Sequence, residues 1–191
     1  KTPEIVRALI RSGYELEIVL TEEAERFVSS MVLSTLAGKR VWKQSDYLSD
    51  ESGWRIPHIS LAEWPDAVMV IPASAESISR AARGEAGTLI GGVLLATRAP
   101  VLFFPAMNVN MYEHPATLEN IRILRSLAYK IVEPDTGYLA CGYEGKGRLP
   151  DVEAILHEVS RTLCPHNDLE GKSVLVTAGP TWEFLDPVRF L

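Results

Sequence analysis

Residues 67–77, AVMVIPASAES, and residues 101–111, VLFFPAMNVNM, decide the fold between them. Each opens on an apolar run, 67–71 and 101–104, with no polar residue interrupting it. A strand with one wet face alternates apolar and polar residues; a strand apolar throughout is covered on both faces, as in parallel sheets. Pro72-Ala73-Ser74-Ala75 then turns the first run into a helix expected to reach about residue 83. The second run ends in a proline and two asparagines, which is turn chemistry.

Working outward, the same alternation recurs. Residues 88–96 read as a helix of small residues, 115–128 as an amphipathic helix, 130–133 as a short strand and 151–163 as a helix. Toward the start, Thr2 caps a helix with Pro3 and Glu4 in its first turn, Ile5, Val6, Leu9 and Ile10 on one face, and Gly13 as its stop. Residues 15–20 are a strand, and a helix followed by a strand leads to the expectation of a further strand ahead of residue 1. Thr21 caps a helix running to about residue 30, and a second short helix covers 31–36. Residues 43–57 and 134–149 carry no period and are expected to be loops, the second rich in glycine. A polar linker at 164–170 precedes a last strand at 173–177. Strands and helices in alternation give a three-layer, doubly wound parallel-sheet α/β fold. Ligands in such folds sit beyond the carboxyl ends of the strands. That points to Thr21, residues 72–77, residues 105–111 and the loop around Cys141.

Composition narrows the function classes. The 191 residues carry a formal charge of −6, which argues against a broad nucleic-acid surface. No apolar run of about 18 residues suggests a membrane span. Two cysteines, Cys141 and Cys164, are too few for a disulfide scaffold and are not spaced for zinc, so no metal is expected and a reducing, cytoplasmic setting is.

Several residues carry chemistry. Asn108 and Asn110 can donate amide hydrogens to a carboxylate, or serve only as turn residues. His58, before Ile59-Ser60-Leu61, is a natural proton acceptor near neutral pH, or a structural histidine. Residues 140–148, ACGYEGKGR, combine three glycines, a thiol and two cations. They read as a flap that closes on a substrate and carries a proton donor, or as a solvated glycine loop. Ser74 and Ser77 stand where a helix N-terminus can bind phosphate, or where a helix is simply capped. No Walker loop, GxGxxG, HExxH or GxSxG elbow is present.

These segments together resemble the homo-oligomeric flavin-containing cysteine decarboxylases, and most of all the decarboxylase half of the bacterial bifunctional phosphopantothenoylcysteine decarboxylase/phosphopantothenate–cysteine ligases. The PAMNxxM motif is complete at Pro105, Ala106, Met107, Asn108 and Met111. The ACGxxGxGR flap is complete at Ala140, Cys141, Gly142, Gly145, Gly147 and Arg148, and His58 stands before the matching I-S-L run. The tail, Val174 to Thr181 with Glu183 and Asp186-Pro187-Val188-Arg189, is similar to the opening of the ligase half. The chain departs from the family at Glu76-Ser77, where a small neutral polar pair is usual. A carboxylate there repels a flavin phosphate unless it turns away.

The resemblance implies a Rossmann-like, flavodoxin-like decarboxylase domain over 1–163, a linker over 164–170 and a truncated ligase start over 171–191. It implies FMN held by Thr21, Phe27, Ser74, Ala75, Ser77, Ala106 and Met107. The substrate it implies is 4′-phosphopantothenoylcysteine, expected to be converted to 4′-phosphopantetheine on the route to coenzyme A. Oxidation of the cysteine moiety to a thioaldehyde supplies the electron sink for loss of CO2, and the resulting ene-thiolate is then reduced. The catalytic set is His58 as base, Asn108 for the substrate carboxylate and Cys141 as proton donor. Val109, Asn110, Met111, Ala140, Gly142, Lys146 and Arg148 complete the substrate site. The family assembles as trimers, often four together, with FMN between subunits. Two other outcomes remain within the same fold: a flavin-binding regulatory subunit without turnover, or a prenyl-flavin-type transferase.

Overall fold

The computed structural model describes residues 1–49, 56–138, 142, 144–164 and 172–173. Cys141, Ala140 and most of the expected linker and last strand lie outside the described residues.

Three parallel strands form the central ladder in the order β3 (Val68–Ala73), β4 (Val101–Pro105), β5 (Lys130–Ile131). The register pairs Val68 with Val101, Val70 with Phe103 and Phe103 with Ile131. As the uninterrupted apolar runs imply, β4 is buried along its whole length. Its alternate residues face two cores. Val101 and Phe103 join Val70, Ile78, Ile121 and Leu124, under α5 (Ala75–Ala82) and α8 (Pro115–Ser126). Leu102 and Phe104 join Ile5, Leu9, Ile155 and Val159, under α1 (Thr2–Arg11) and α9 (Val152–Leu163). Helices on both faces of a parallel sheet make three layers.

A second parallel ladder joins β1 (Ile18–Leu20) to β2 (Val41–Lys43). An apolar groove of about 400 Å³ runs between the two ladders, lined by Ile5 and Leu9 of α1, by β1 and by Val68 to Pro72 of β3.

The structure revises the expected elements where a short-range signal won. The helix expected over 21–30 is the single turn α2 (Glu22–Glu25), and α3 (Ser30–Ala37) follows it. Ser29 starts the new helix, and Phe27 between the two is 91% exposed. The 43–57 stretch is not a plain loop. It begins at the end of β2 with a 3-10 turn (Gln44–Asp46), and Pro57 opens α4 (Pro57–Glu63) from the first helical position, which proline favours. Residues 134–149 hold an antiparallel hairpin, β6 (Asp135–Tyr138) with β7 (Glu144–Arg148). Its glycines hide the alternation that marks strands. Two further helices, α6 (Leu89–Ala96) and α7 (Val109–Glu113), complete the described elements.

Candidate functional site

The site begins at the carboxyl end of β3. Ser74 caps α5: its Oγ accepts the Ser77 N–H at 3.1 Å and lies 3.1 Å from Ser77 Oγ. Ala75 and Glu76 occupy the first turn of that helix, whose amides precede the first intrahelical bond. Thr21 caps α2, accepting from Ala24 N–H at 3.2 Å. Thr21, Ser74 and Ser77 line one cleft of about 330 Å³, together with Glu76, Arg80, Gly91 and Tyr129. The same three residues line the mouth of the apolar groove, where Phe27 joins them.

The Glu76 carboxylate meets Arg80 Nη2 at 2.8 Å, one helical turn on. Its charge is therefore offset within α5. Hydroxyls, a helix N-terminus, a guanidinium and an adjoining apolar groove suit a phosphorylated aromatic group such as FMN, so the residues present fit that cofactor.

The second cluster follows β4. Ala106 N–H donates to Ala73 O at 3.2 Å, tying the two strand ends together. Met107 N–H donates to Gly147 O at 3.0 Å, which docks the hairpin strand β7 on the PAMN segment. Asn108 caps α7, its Oδ1 accepting from Asn110 N–H at 2.9 Å. Val109 lies against Gly145 so closely that a Cβ there would stand 2.9 Å from Val109 Cγ2. Asn110 is exposed and Met111 is half exposed. Arg148, exposed, lies across Gly137 of the paired strand. Gly142, also exposed, has φ +82°, a conformation that favours glycine. The structure thus brings Ala106, Met107, Asn108, Val109 and the β7 part of the flap into one unit.

Lys146 is drawn into an ion pair with Glu133 at 2.6 Å and sits 5.5 Å from the Tyr112 ring centroid. Tyr112 Oη donates to the same carboxylate at 2.7 Å, and Arg125 also pairs with it. Burial, then the Glu133 hydrogen bond and charge, push the Tyr112 phenol above its ordinary range. Burial alone would raise the Glu133 carboxyl, but Lys146, Tyr112 and Arg125 outweigh it and hold it below the usual carboxylate range.

His58 occupies the first turn of α4 and lines neither cleft described above. Its ring meets Tyr47 edge-on at 5.1 Å, and its buried Nδ1 has no hydrogen-bond partner among the described residues. Such an atom costs about 1–3 kcal/mol when left unmade. Gly92 of α6 makes room for it, since a Cβ at that position would stand 3.1 Å from His58 Cβ and Cγ.

Sequence reading did not single out Gly92, Arg80, Tyr112 or Glu133. A Gly-Gly pair inside a helix was the available signal for the first. The i,i+4 spacing of Glu76 and Arg80 was the signal for the second. Nothing local marks Tyr112 and Glu133, which meet across 21 residues of chain.

Comparison with known proteins gives the geometry its context. Residues 169–191 match the DNA/pantothenate metabolism flavoprotein C-terminal domain. The chain is 42% identical over 195 residues to the coenzyme A biosynthesis bifunctional protein CoaBC of Bacillus subtilis, an alignment covering 100% of this chain and 47% of that protein. It is 41% identical over 192 residues to the protein of that name from Escherichia coli K12, with the same coverage of 100% and 47%. The chain therefore spans about half the length of the curated relatives it matches. Among solved structures, HAL3 from Cryptococcus neoformans superposes with a TM-score of 0.75 at 28% identity, over 88% of this chain and 91% of that one. A PPC decarboxylase mutant complexed with pantothenoylaminoethenethiol gives a TM-score of 0.75 at 24% identity, over 83% and 88%, a likeness of fold. The parallel sheet, the strand-end site and a match over residues 1–164 converge: the chain belongs to the Flavoprotein family.

Proposed function

We propose that this chain is the FMN-dependent decarboxylase portion of a bifunctional coenzyme A biosynthesis enzyme, converting 4′-phosphopantothenoylcysteine to 4′-phosphopantetheine. The observation that carries the reading is the docking of β7 on the PAMN segment, through Met107 N–H to Gly147 O and Val109 against Gly145. It joins the two sequence motifs of a cysteine decarboxylase into one structural unit. The similarity to the CoaBC proteins supports the substrate.

Bound FMN supplies the two-electron oxidation of the cysteine moiety and the return of those electrons once CO2 has left. Ser74, Ser77, Thr21 and the N–H of Ala75 would hold its phosphate, and Phe27, Ala106 and Met107 would complete its site. His58 accepts the proton released in the oxidative step. The Asn108 carboxamide holds the substrate carboxylate until it departs. Cys141 donates the proton that completes the product. Val109, Asn110 and Met111, with Ala140 and Gly142 of the flap, enclose the substrate, and Arg148 meets an anionic group on it. Lys146 shares its charge between Glu133 and that anion. Residues 1–163 form this catalytic unit, 164–170 a linker and 171–191 the start of the ligase half. The assembly is a homotrimer or a dodecamer built of four trimers, in the cytoplasm. Among the described residues, no helix is long and apolar enough to cross a membrane.

The test is direct. The purified protein carries flavin absorbance and releases CO2 from 4′-phosphopantothenoylcysteine. Asn108→Asp places a negative charge against the substrate carboxylate and is expected to keep the flavin and lose at least 100-fold in decarboxylation, since like charges in a water-poor pocket repel strongly. A wild-type protein that binds flavin but releases no CO2 overturns the enzymatic reading in favour of a flavin-binding subunit. Normal turnover by Asn108→Asp removes that residue from the site.

A further inference from the structure

The carboxylate of Glu133 collects partners from three separate elements. Tyr112 Oη reaches it from α7 at 2.7 Å, Lys146 Nζ from β7 at 2.6 Å, and Arg125 from α8. Glu133 itself stands two residues beyond β5, and the neighbouring Val132 N–H donates to Phe103 O at 2.9 Å. The hub is thus rooted in the central sheet.

Its side chain is 47% exposed. Ion pairs at such positions contribute at most about 1 kcal/mol to stability. Global stability is therefore a weak reason for this convergence. Geometry is a stronger one. The α7 helix carries Asn108 at its cap, and β7 carries the second half of the flap. Those two elements also touch directly, at Met107–Gly147 and at Val109–Gly145. One backbone bond and one packing contact join them, while β7 pairs with β6 in the hairpin. Lys146 stands between those two contact residues in the strand, and its side chain adds a further link, to Glu133 and over the Tyr112 ring.

We infer that Glu133 is a positioning residue for the reaction: it clamps Lys146 of β7 to Tyr112 of α7, so that the flap strand and the Asn108 cap keep one relative placement. The inference rests on the functional reading above for its kinetic consequence, and on the geometry alone for its structural one. A misplacement of about 1 Å between groups that act on one substrate can lower a rate by about 100-fold.

The experiment compares the full chain with Glu133→Ala and Glu133→Gln. Amide hydrogen exchange is read separately over β7 and over the ladder β3–β4–β5. Decarboxylation is read as kcat and KM for 4′-phosphopantothenoylcysteine. Glu133→Ala is expected to speed exchange at residues 144–148 by at least 10-fold while leaving the central ladder unchanged, and to lower kcat by roughly 10- to 100-fold with KM within about 3-fold. Glu133→Gln retains an acceptor for the Tyr112 hydroxyl and is expected to fall between wild type and Glu133→Ala on both readouts. Unchanged exchange in β7 overturns the clamp. Exchange that rises equally in β7 and the central ladder also overturns it, because that pattern describes general loss of stability. Faster β7 exchange with undiminished kcat overturns the positioning role. A wild-type chain that binds flavin without decarboxylating overturns the functional reading and with it the kinetic half, while the exchange data still decide the clamp.

Discussion

At the residue scale the histidine is the group whose surroundings say most. His58 Nδ1 is buried with no hydrogen-bond partner among the described residues, an arrangement that costs stability and that a packing role does not require. Gly92 leaves room for the ring and Tyr47 meets its edge, so two different elements fix the imidazole. Gly92→Ala would bring a methyl group to 3.1 Å from His58 Cβ and Cγ, and α6 is too well buried to yield easily. The expected result is a folded protein with unaltered flavin affinity. Its flavin should bleach on anaerobic addition of substrate at least 10-fold more slowly than in wild type if His58 is the base proposed above, because the ring is then displaced by a few tenths of an ångström. Equal bleaching rates in stopped-flow absorbance would separate His58 from the oxidative step. The identity of the candidate residues was legible in sequence, since motifs record residue types at fixed spacing. The packing of His58 on Gly92 was not, because 34 residues separate them and neither belongs to a periodic face that predicts the other.

At the scale of elements, legibility followed burial. Strand β4 is apolar at every position because both its faces are covered, and its run of residues announced it. The caps Ser74, Thr88 and Asp151 sit where their residue types expect, each accepting from the third amide onward. The β6–β7 hairpin was missed because Asp-Thr-Gly-Tyr and Glu-Gly-Lys-Gly-Arg have no apolar alternation; β7 instead packs its Gly145 against Val109 of α7. Electrostatics also fastens elements. Lys130 of β5 meets Glu158 of α9 at 2.6 Å and donates to Thr162 Oγ1 at 3.1 Å. Burial by itself would raise the Glu158 carboxyl, but Lys130 and then Arg161 outweigh it and hold it below its ordinary range. A carboxyl lowered on folding stabilises the fold fully above its unfolded value, about 4.3, and ceases to do so as pH falls through the lower folded value. Lys130→Met should therefore lower stability near pH 7 by about 1 kcal/mol. It should also flatten the loss of Tm between pH 5 and the acid end, as read by circular dichroism melts. Parallel wild-type and variant curves across that range would show that the pair does not link β5 to α9.

On the scale of the whole molecule, the two cores account for the apolar residues of the central sheet, yet large apolar side chains remain outside them. Phe27 is 91% exposed, Leu48 85% and Met31 76%. Single exposed apolar groups are ordinary, but Phe27 in the turn between α2 and α3 and Met31 and Val32 in the first turn of α3 fall within six residues of one another. Exposed apolar side chains gathered in one short stretch make this segment a candidate for contact with another molecule. Phe27 also borders the groove that Thr21, Ser74 and Ser77 line, so covering this patch would close the mouth of the proposed flavin site. A cyclic assembly satisfies both demands, because the same patch on each copy is then covered by its neighbour. In solution the protein should have a mass at least three times that of the 21.1 kDa chain by light scattering. Met31→Glu puts an uncompensated charge in that contact, which is costly to bury. It should lower the mass toward a single chain, and it should weaken flavin retention with the assembly, while far-ultraviolet circular dichroism stays that of the wild type because Met31 takes no part in either core. An unchanged mass for Met31→Glu would place the contact elsewhere. A reduced mass with full flavin retention would show that the cofactor is held within one chain and that assembly serves another end.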